Sequence, residues 1–282
     1  MDSHMLRIPD APRSIQKGYP LKNVLGIEAI SCLASNIAYV YPEFSQEKFR
    51  KSALENLYSM EFMQRGKHIA RALRNHLPEK YDKAIKVILD SLTPPNSATE
   101  GLGLAVLFYQ PHSCFISEYG LDKKYNGGDD PFDISMNAQY ELTKRNTSEF
   151  SIRSFLIKHQ DRTLSRLLEW VSDPDPHVRR LCSEGSRPRL PWAPRIPDFV
   201  QDPSPVLPIL ESLKNDLSSY VRRSVANSLG DIAKDHPDIV FEICERWLSD
   251  ASKETKWLIR HALRYPAKKG NRHALQLRNK AK

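Results

Sequence analysis

Residues of complementary charge recur at intervals of four in "ELTKRNTSEFSIRSFLIKHQ": Glu141, Arg145, Glu149 and Arg153. On one helix, residues four apart differ by about 40° around the axis, so the set would form a slowly curving row with each side chain in reach of the next. As a solvated face such a row is ordinary, and each exposed pair contributes only about 0.3 to 0.5 kcal/mol. The chemical alternative places Glu149 in a groove, where flanking guanidinium groups would keep it anionic, the opposite of what a general acid needs. A permanently negative carboxylate suits a reaction that builds positive charge, and glycosidic cleavage through an oxocarbenium-like transition state is the leading case. Spacing alone leaves both readings open.

Other chemistries find little support. The nine histidines show no HExxH or related ligand spacing, and the chain has no GxGxxG or GxxxxGK[ST] loop and no GxSxG elbow. Metal, nucleotide and serine-hydrolase chemistry are disfavoured, and no cofactor or metal is expected. Cys32, Cys114, Cys182 and Cys244 stand far apart without a CxxC, which fits reduced, mostly buried thiols in a cytoplasmic protein. No uninterrupted apolar run approaches the roughly 20 residues that cross a bilayer. Mean hydropathy is −0.53, and no membrane partner is expected. Forty-two Lys and Arg against 34 Asp and Glu give a formal charge of +8, which favours a polyanion such as nucleic acid over an acidic small molecule.

The elements that must position these residues read as helices. Few stretches alternate apolar and polar residues, and the 20 prolines fall mostly between periodic segments, as in "LTPPNS", "SDPDPH", "QDPSPV" and "DHPD". Laying "HVRRLCSEG" over "YVRRSVANS" matches Val178 to Val221 at an offset of 43, and "WLIRHALRY" puts Leu258 in the same place 37 residues later. Each copy follows an apolar helix: "TLSRLLEWVSD", "VLPILESLKND" and "IVFEICERWLS". Two helices per period of about 40 residues predict an all-α fold, an α-α superhelix of HEAT-like repeats. "GKHIARALRNHL" and "YDKAIKVILDSLT" continue the alternation more loosely, so the array is expected to start before residue 70. The opening "MDSHM", residues 1–5, reads as a cloning remnant. Residues 6–282 are then expected to be a single repeat domain ending in the basic run "PAKKGNRHALQLRNKAK", and a monomer.

Within "SYVRRSVANSLGDIAKD", Val221, Val225, Leu229 and Ile232 keep the spacing of a buried stripe, which turns Arg223 to the other side. Arg180 and Arg260 hold the same register in their own copies, so stacking would align Arg180, Arg223 and Arg260 as a column. Charge for solubility accounts for any one of them. Three in register suit a duplex backbone, each phosphate contact contributing about −0.9 to the slope of log affinity against log salt.

Two segments interrupt the repeats. "YGLDKKYNGGDDPFDISM" reads as a solvated connection. "CSEGSRPRLPWAPRIPDF" carries four prolines, with Arg187, Arg189 and Arg195 around Trp192, and predicts an extended but stiff run. Its arginines and indole could contact a nucleic-acid groove, or Trp192 could plug a gap between repeats.

Three stretches, "LTKRNTSEFSIRSFL", "DPDPHVRRLCSEGSRPRLPWAPRIP" and "DLSSYVRRSVANSLGDIAKDHPD", closely resemble the AlkC branch of the alkylpurine DNA glycosylases, which are built from HEAT-like repeats. The resemblance covers roughly residues 140 to 240, and the Arg-Pro-Arg-Leu-Pro-Trp run is its specific signature. It implies a bacterial base-excision enzyme that removes cationic N-alkylated bases, 3-methyladenine and 3-methylcytosine, from bent duplex DNA without taking the lesion into a deep pocket. An acidic residue then acts at the lesion's sugar. Matching "TKRxTSEF" assigns that role to Glu149, oriented by Arg145, with Glu118 in "FISEYG" as a second acidic candidate. Arg180, Arg187, Arg189, Trp192, Arg223 and Arg260 are the expected DNA contacts. Some relatives carry an immunoglobulin-like domain after the repeats, and the basic run is expected to stand in its place here. A non-catalytic scaffold binding DNA or protein through the same column is the alternative reading.

Overall fold

A computed structural model describes residues 6–282. Apart from an isolated bridge between Gln16 and Tyr19, the regular structure of the described residues is helical. Two compact units divide the chain between Ser151 and Ile152.

The first unit contains α1 (Ile27–Val40), α2 (Gln46–Leu54), α3 (Phe62–His76), α4 (Tyr81–Asp90), α5 (Gln110–Tyr119) and α6 (Phe132–Thr143). Helix α3 is the looser repeat copy anticipated upstream. It packs closely on α5 because Gly66 offers no side chain: a Cβ there would lie 2.9 Å from the Gln110 Cγ. One stretch, Leu21–Val40, is long and apolar enough on average to cross a membrane, but Lys22, Asn23 and Glu28 interrupt it, in keeping with the absence of an uninterrupted apolar run. Gly26 divides it into a 3-10 turn and the 14-residue α1, whose Ala29, Ile30, Leu33, Ala34 and Ile37 are buried in the core of this unit. The Gly-Gly connection is largely solvated, with Lys123, Lys124, Gly127, Gly128, Asp129 and Asp130 exposed, and two contacts anchor it. Asn126 is buried, its Oδ1 accepts the Asp82 N–H at 3.0 Å, and Lys80 pairs with Asp129 at 3.0 Å.

The second unit contains α7 (Ile152–Lys158), α8 (Gln160–Trp170), α9 (Pro176–Gly185), α10 (Pro197–Gln201), α11 (Leu207–Leu213), α12 (Ser219–Ile232), α13 (Pro237–Leu248), α14 (Lys253–Ala262), α15 (Arg264–Lys268) and α16 (Arg272–Lys280). Pro176, Pro197 and Pro237 open their helices, where a missing N–H costs nothing. Asp175 caps α9 by accepting the His177 N–H at 2.8 Å. The three repeat copies, α9, α12 and α14, pack side by side, and Val178, Val221 and Leu258 are all fully buried. So are Val225, Leu229 and Ile232, as the stripe predicts. Charge is divided unevenly. Residues 152–282 hold 24 of the 42 Lys and Arg but 16 of the 34 Asp and Glu, so this unit carries the whole excess of eight.

The row of four is not one helix. Helix α6 ends at Thr143 and α7 begins at Ile152, leaving Arg145 and Glu149 in the turn between them. The short side chains of "NTS" explain the break, because they bond the local backbone in place of a helical ladder. Thr147 Oγ1 accepts the Glu149 N–H at 3.2 Å, Ser148 Oγ donates to the Gln139 carbonyl at 2.9 Å, and Ser151 Oγ donates to the Ser148 carbonyl at 3.1 Å.

Candidate nucleic-acid interface and acidic loop

The turn that carries Glu149 is held from both sides. Asn96 donates its backbone N–H to the Lys144 carbonyl at 2.8 Å and its Nδ2 to the Arg145 carbonyl at 2.6 Å. Ser148 and Ser151 are fully buried. On this fixed backbone the half-buried Glu149 turns its Oε2 toward Thr147, whose Oγ1 donates to it at 2.9 Å. One threonine hydroxyl therefore bonds both the backbone and the carboxylate of Glu149, which limits its rotamers.

Arg145 lies against Glu141, its neighbour in the expected row. Its Nη1 donates to the Glu141 carboxylate at 2.8 Å and to the Glu141 carbonyl at 2.7 Å, while Nε donates to the Thr93 carbonyl at 2.6 Å. Burial alone would raise the Glu141 carboxyl, but hydrogen bonds from Lys144 and Arg145 hold it below its ordinary value. These contacts tie the segment after α4 to the end of α6 and so brace the turn. Glu118, on α5, accepts from Arg71 Nε of α3 at 2.8 Å.

In the second unit the proline-rich segment closes on itself instead of running extended. The cause is Arg153, the last member of the expected row and fully buried on α7. Its guanidinium donates to the carbonyls of Pro194 at 2.7 Å, Arg187 at 2.6 Å, Gly185 at 3.2 Å and Pro188 at 3.4 Å. Proline leaves carbonyls without matching N–H partners, and one guanidinium gathers them. Gly185 permits the approach, since a Cβ there would lie 2.5 Å from Ile152 Cγ2. Sequence reading missed this role, because an arginine at helical spacing from two glutamates gives no sign of bonding carbonyls so far along the chain.

The plug for this loop is Leu190 and Ile196, both buried, and not Trp192. Trp192 stands 66% exposed in the left-handed region at φ 63°, a conformation a bulky residue keeps only when its surroundings hold it there. Arg189 makes a bidentate pair with Asp235 at 2.6 and 2.7 Å. Arg187 is buried and bonds Glu184 at 2.5 Å and Asp231 at 2.7 Å, so its head group serves the interior of the unit.

The three in-register arginines differ. Arg223 is exposed and has no ion-pair partner among the described residues. Arg180 lies over the Tyr220 ring at 4.9 Å and within 3.6 Å of Glu184. Arg260 donates to the Ala281 carbonyl, which anchors the last turn of α16. Among the described residues no cluster of His, Cys, Asp or Glu is placed to hold a metal ion. All four cysteines are free and buried, and burial pushes the Cys114 thiol up to about 11.

Comparison with known proteins places these features in a family. A profile described as DNA alkylation repair enzyme matches residues 146–265, which include the Glu149 turn, the Arg153 loop and all three arginines of the column. The chain is 37% identical over 258 residues to YhaZ of Bacillus subtilis (strain 168), covering 91% of this chain and 67% of that protein. Among solved structures it is similar to Pseudomonas fluorescens alkylpurine DNA glycosylase AlkC bound to DNA containing an abasic site analog. That match has 37% identity and a TM-score of 0.79, covering 92% of this chain and 67% of that one. An all-helical chain of HEAT-like repeats with these matches belongs to the DNA alkylation repair enzymes, in their AlkC branch.

Proposed function

We propose that the protein is a cytoplasmic, monomeric DNA glycosylase that hydrolyses the N-glycosidic bond of cationic N-alkylated bases, with 3-methyladenine and 3-methylcytosine as substrates, in duplex DNA. The observation that carries this reading is the Glu149 carboxylate, fixed by Thr147 on a braced turn within the stretch matched to the repair family. A cationic base leaves as a neutral molecule when the electron pair of the C1′–N bond passes to it, so the leaving group needs no proton. The remaining task is at the sugar, where a negative carboxylate stabilises the oxocarbenium-like centre and orients a water. The water oxygen bonds C1′ and its proton passes to the carboxylate and on to solvent.

In this reading Glu149 acts at the sugar, Arg145 braces its turn through Glu141 and Thr93, and Glu118, held by Arg71, is the second acidic group. Because the lesion is attacked where it lies, the protein needs no deep base pocket, unlike enzymes that extrude their target. Arg180, Arg223 and Arg260 with Arg189 and Trp192 meet the backbone, while Arg187 acts by holding its loop to α12.

Release of free base from alkylated duplex tests the assignment. Glu149→Gln, folded as the wild type by circular dichroism, is expected to lower single-turnover release by at least about 100-fold. Full activity in that variant would remove Glu149 from the mechanism. Absence of base release from the wild type, with duplex binding intact, would favour the scaffold reading.

A further inference from the structure

Helices α9, α12 and α14 each present an aromatic ring one residue before the matched Val178, Val221 and Leu258: His177 and Tyr220 in the first turn of their helices, and Trp257 in the second turn of α14. In the α9–α12 groove that place is filled. Tyr220 is covered by the Arg180 guanidinium at 4.9 Å and meets the His177 ring edge-on at 5.6 Å. The next groove repeats the pattern with a different outcome. Between α12 and α14 lies a cavity of about 340 Å³, lined by Arg222, Arg223, Lys253, Trp257 and Arg260 against a single carboxylate, Glu254. Arg223 holds the register of Arg180 yet pairs with no carboxylate, and Lys253 likewise has no ion-pair partner among the described residues.

The cavity combines unneutralised charge with an accessible ring. Trp257 is 36% exposed and is backed by the His261 imidazole at 5.0 Å and 19°. Burial, with Arg264 and Arg223 nearby, pushes the His261 imidazole down to about 4, so the ring's support stays neutral and adds no charge at physiological pH. Arg222 donates to the carbonyls of Asp216 and Leu217, which holds the turn before α12 at the rim of the cavity. Free cations beside an indole, in a space of this size, match the chemistry by which proteins hold a single nucleotide: a phosphate on cationic donors and a sugar or base against an aromatic surface.

We infer that the α12–α14 groove is a nucleotide-sized subsite for the DNA strand, with Arg223 and Lys253 on a phosphodiester and Trp257 against the adjoining sugar or base. This rests on the reading that the protein acts on DNA and adds to it a site in the second unit separate from Glu149. The cation pair and the indole contribute differently, and the difference is measurable. Fluorescence anisotropy with a labelled, undamaged duplex across a potassium chloride series separates them in the full-length protein. Arg223→Gln with Lys253→Gln is expected to reduce the salt slope by about 1 to 2. Trp257→Ala is expected to weaken binding about 10-fold with the slope unchanged, and Trp257→Phe to recover most of it.

If Trp257→Ala binds as the wild type does, or loses affinity only through the salt-dependent part, the groove is plain positive surface and the inference fails. It fails equally if the double variant keeps the wild-type slope. Wild-type protein that does not bind duplex at all overturns the DNA reading and this subsite with it, whereas intact binding with unaffected variants overturns the subsite alone. Melting curves for each variant guard against loss of fold.

Discussion

At the scale of single residues, the geometry assigns Thr147 a larger share than its type suggests. Its hydroxyl accepts the Glu149 N–H and donates to the Glu149 carboxylate, so one small side chain sets both the backbone and the rotamer of the proposed catalytic group. Thr147→Val keeps the shape and removes both bonds. Base release in a single turnover is expected to fall roughly 10-fold, the equivalent of one hydrogen bond to a charged group, while duplex affinity stays within error. A fall in affinity with unchanged release would show that the turn binds DNA and does not serve Glu149. The chemistry of this site was legible only in part. Charge spacing singled out Glu149, but the same spacing implied a continuous helix, which the polar "NTS" breaks by bonding its own backbone.

At the scale of elements, the repeat register was legible because burial follows a period that survives in the sequence: Val178, Val221 and Leu258 are all fully buried, and the prolines open helices as their missing N–H requires. The loop between α9 and α10 was not, since its shape depends on a buried arginine at a distance. Arg153→Met is expected to leave the carbonyls of Gly185, Arg187, Pro188 and Pro194 without that donor and to destabilise the second unit by at least about 3 kcal/mol. Limited trypsinolysis should then cut after Arg189 and Arg195 before global unfolding. A variant that resists trypsin like the wild type would mean that the prolines alone hold the loop. The same loop is tied through Arg187 to Asp231 of α12 and to Glu184 of α9. Burial alone would raise the Glu184 carboxyl, but Arg180 and Arg187 hold it below its ordinary value. A depressed folded-state pKa contributes stability above the unfolded value of about 4.3 and loses it as pH falls through the folded value. The melting-temperature gap between wild type and Glu184→Gln should therefore be widest above about pH 5 and narrow steadily toward pH 3. A gap independent of pH would assign the effect of Glu184 to packing.

At the scale of the whole molecule, net charge is a poor guide until it is divided. A chain at +8 attracts any polyanion. Here the first unit is neutral overall and the second carries the entire excess, together with the arginine column and the proline-rich loop. Local placement, and not total charge, should then set the salt dependence of DNA binding. Neutralising Arg180, Arg223 and Arg260 together is expected to lower the slope of log affinity against log salt by roughly 2, less than three full phosphate contacts because Arg180 is partly covered by Tyr220 and Glu184. Among the single variants Arg223→Gln should have the largest effect, since it is exposed and has no ion-pair partner among the described residues. Neutralising Lys17, Lys51 and Lys83, three exposed lysines of the first unit, removes the same formal charge and should leave the slope close to its wild-type value. If both triple variants shift the slope equally, attraction is set by the total charge alone, and the register of arginines on α9, α12 and α14 carries no binding information.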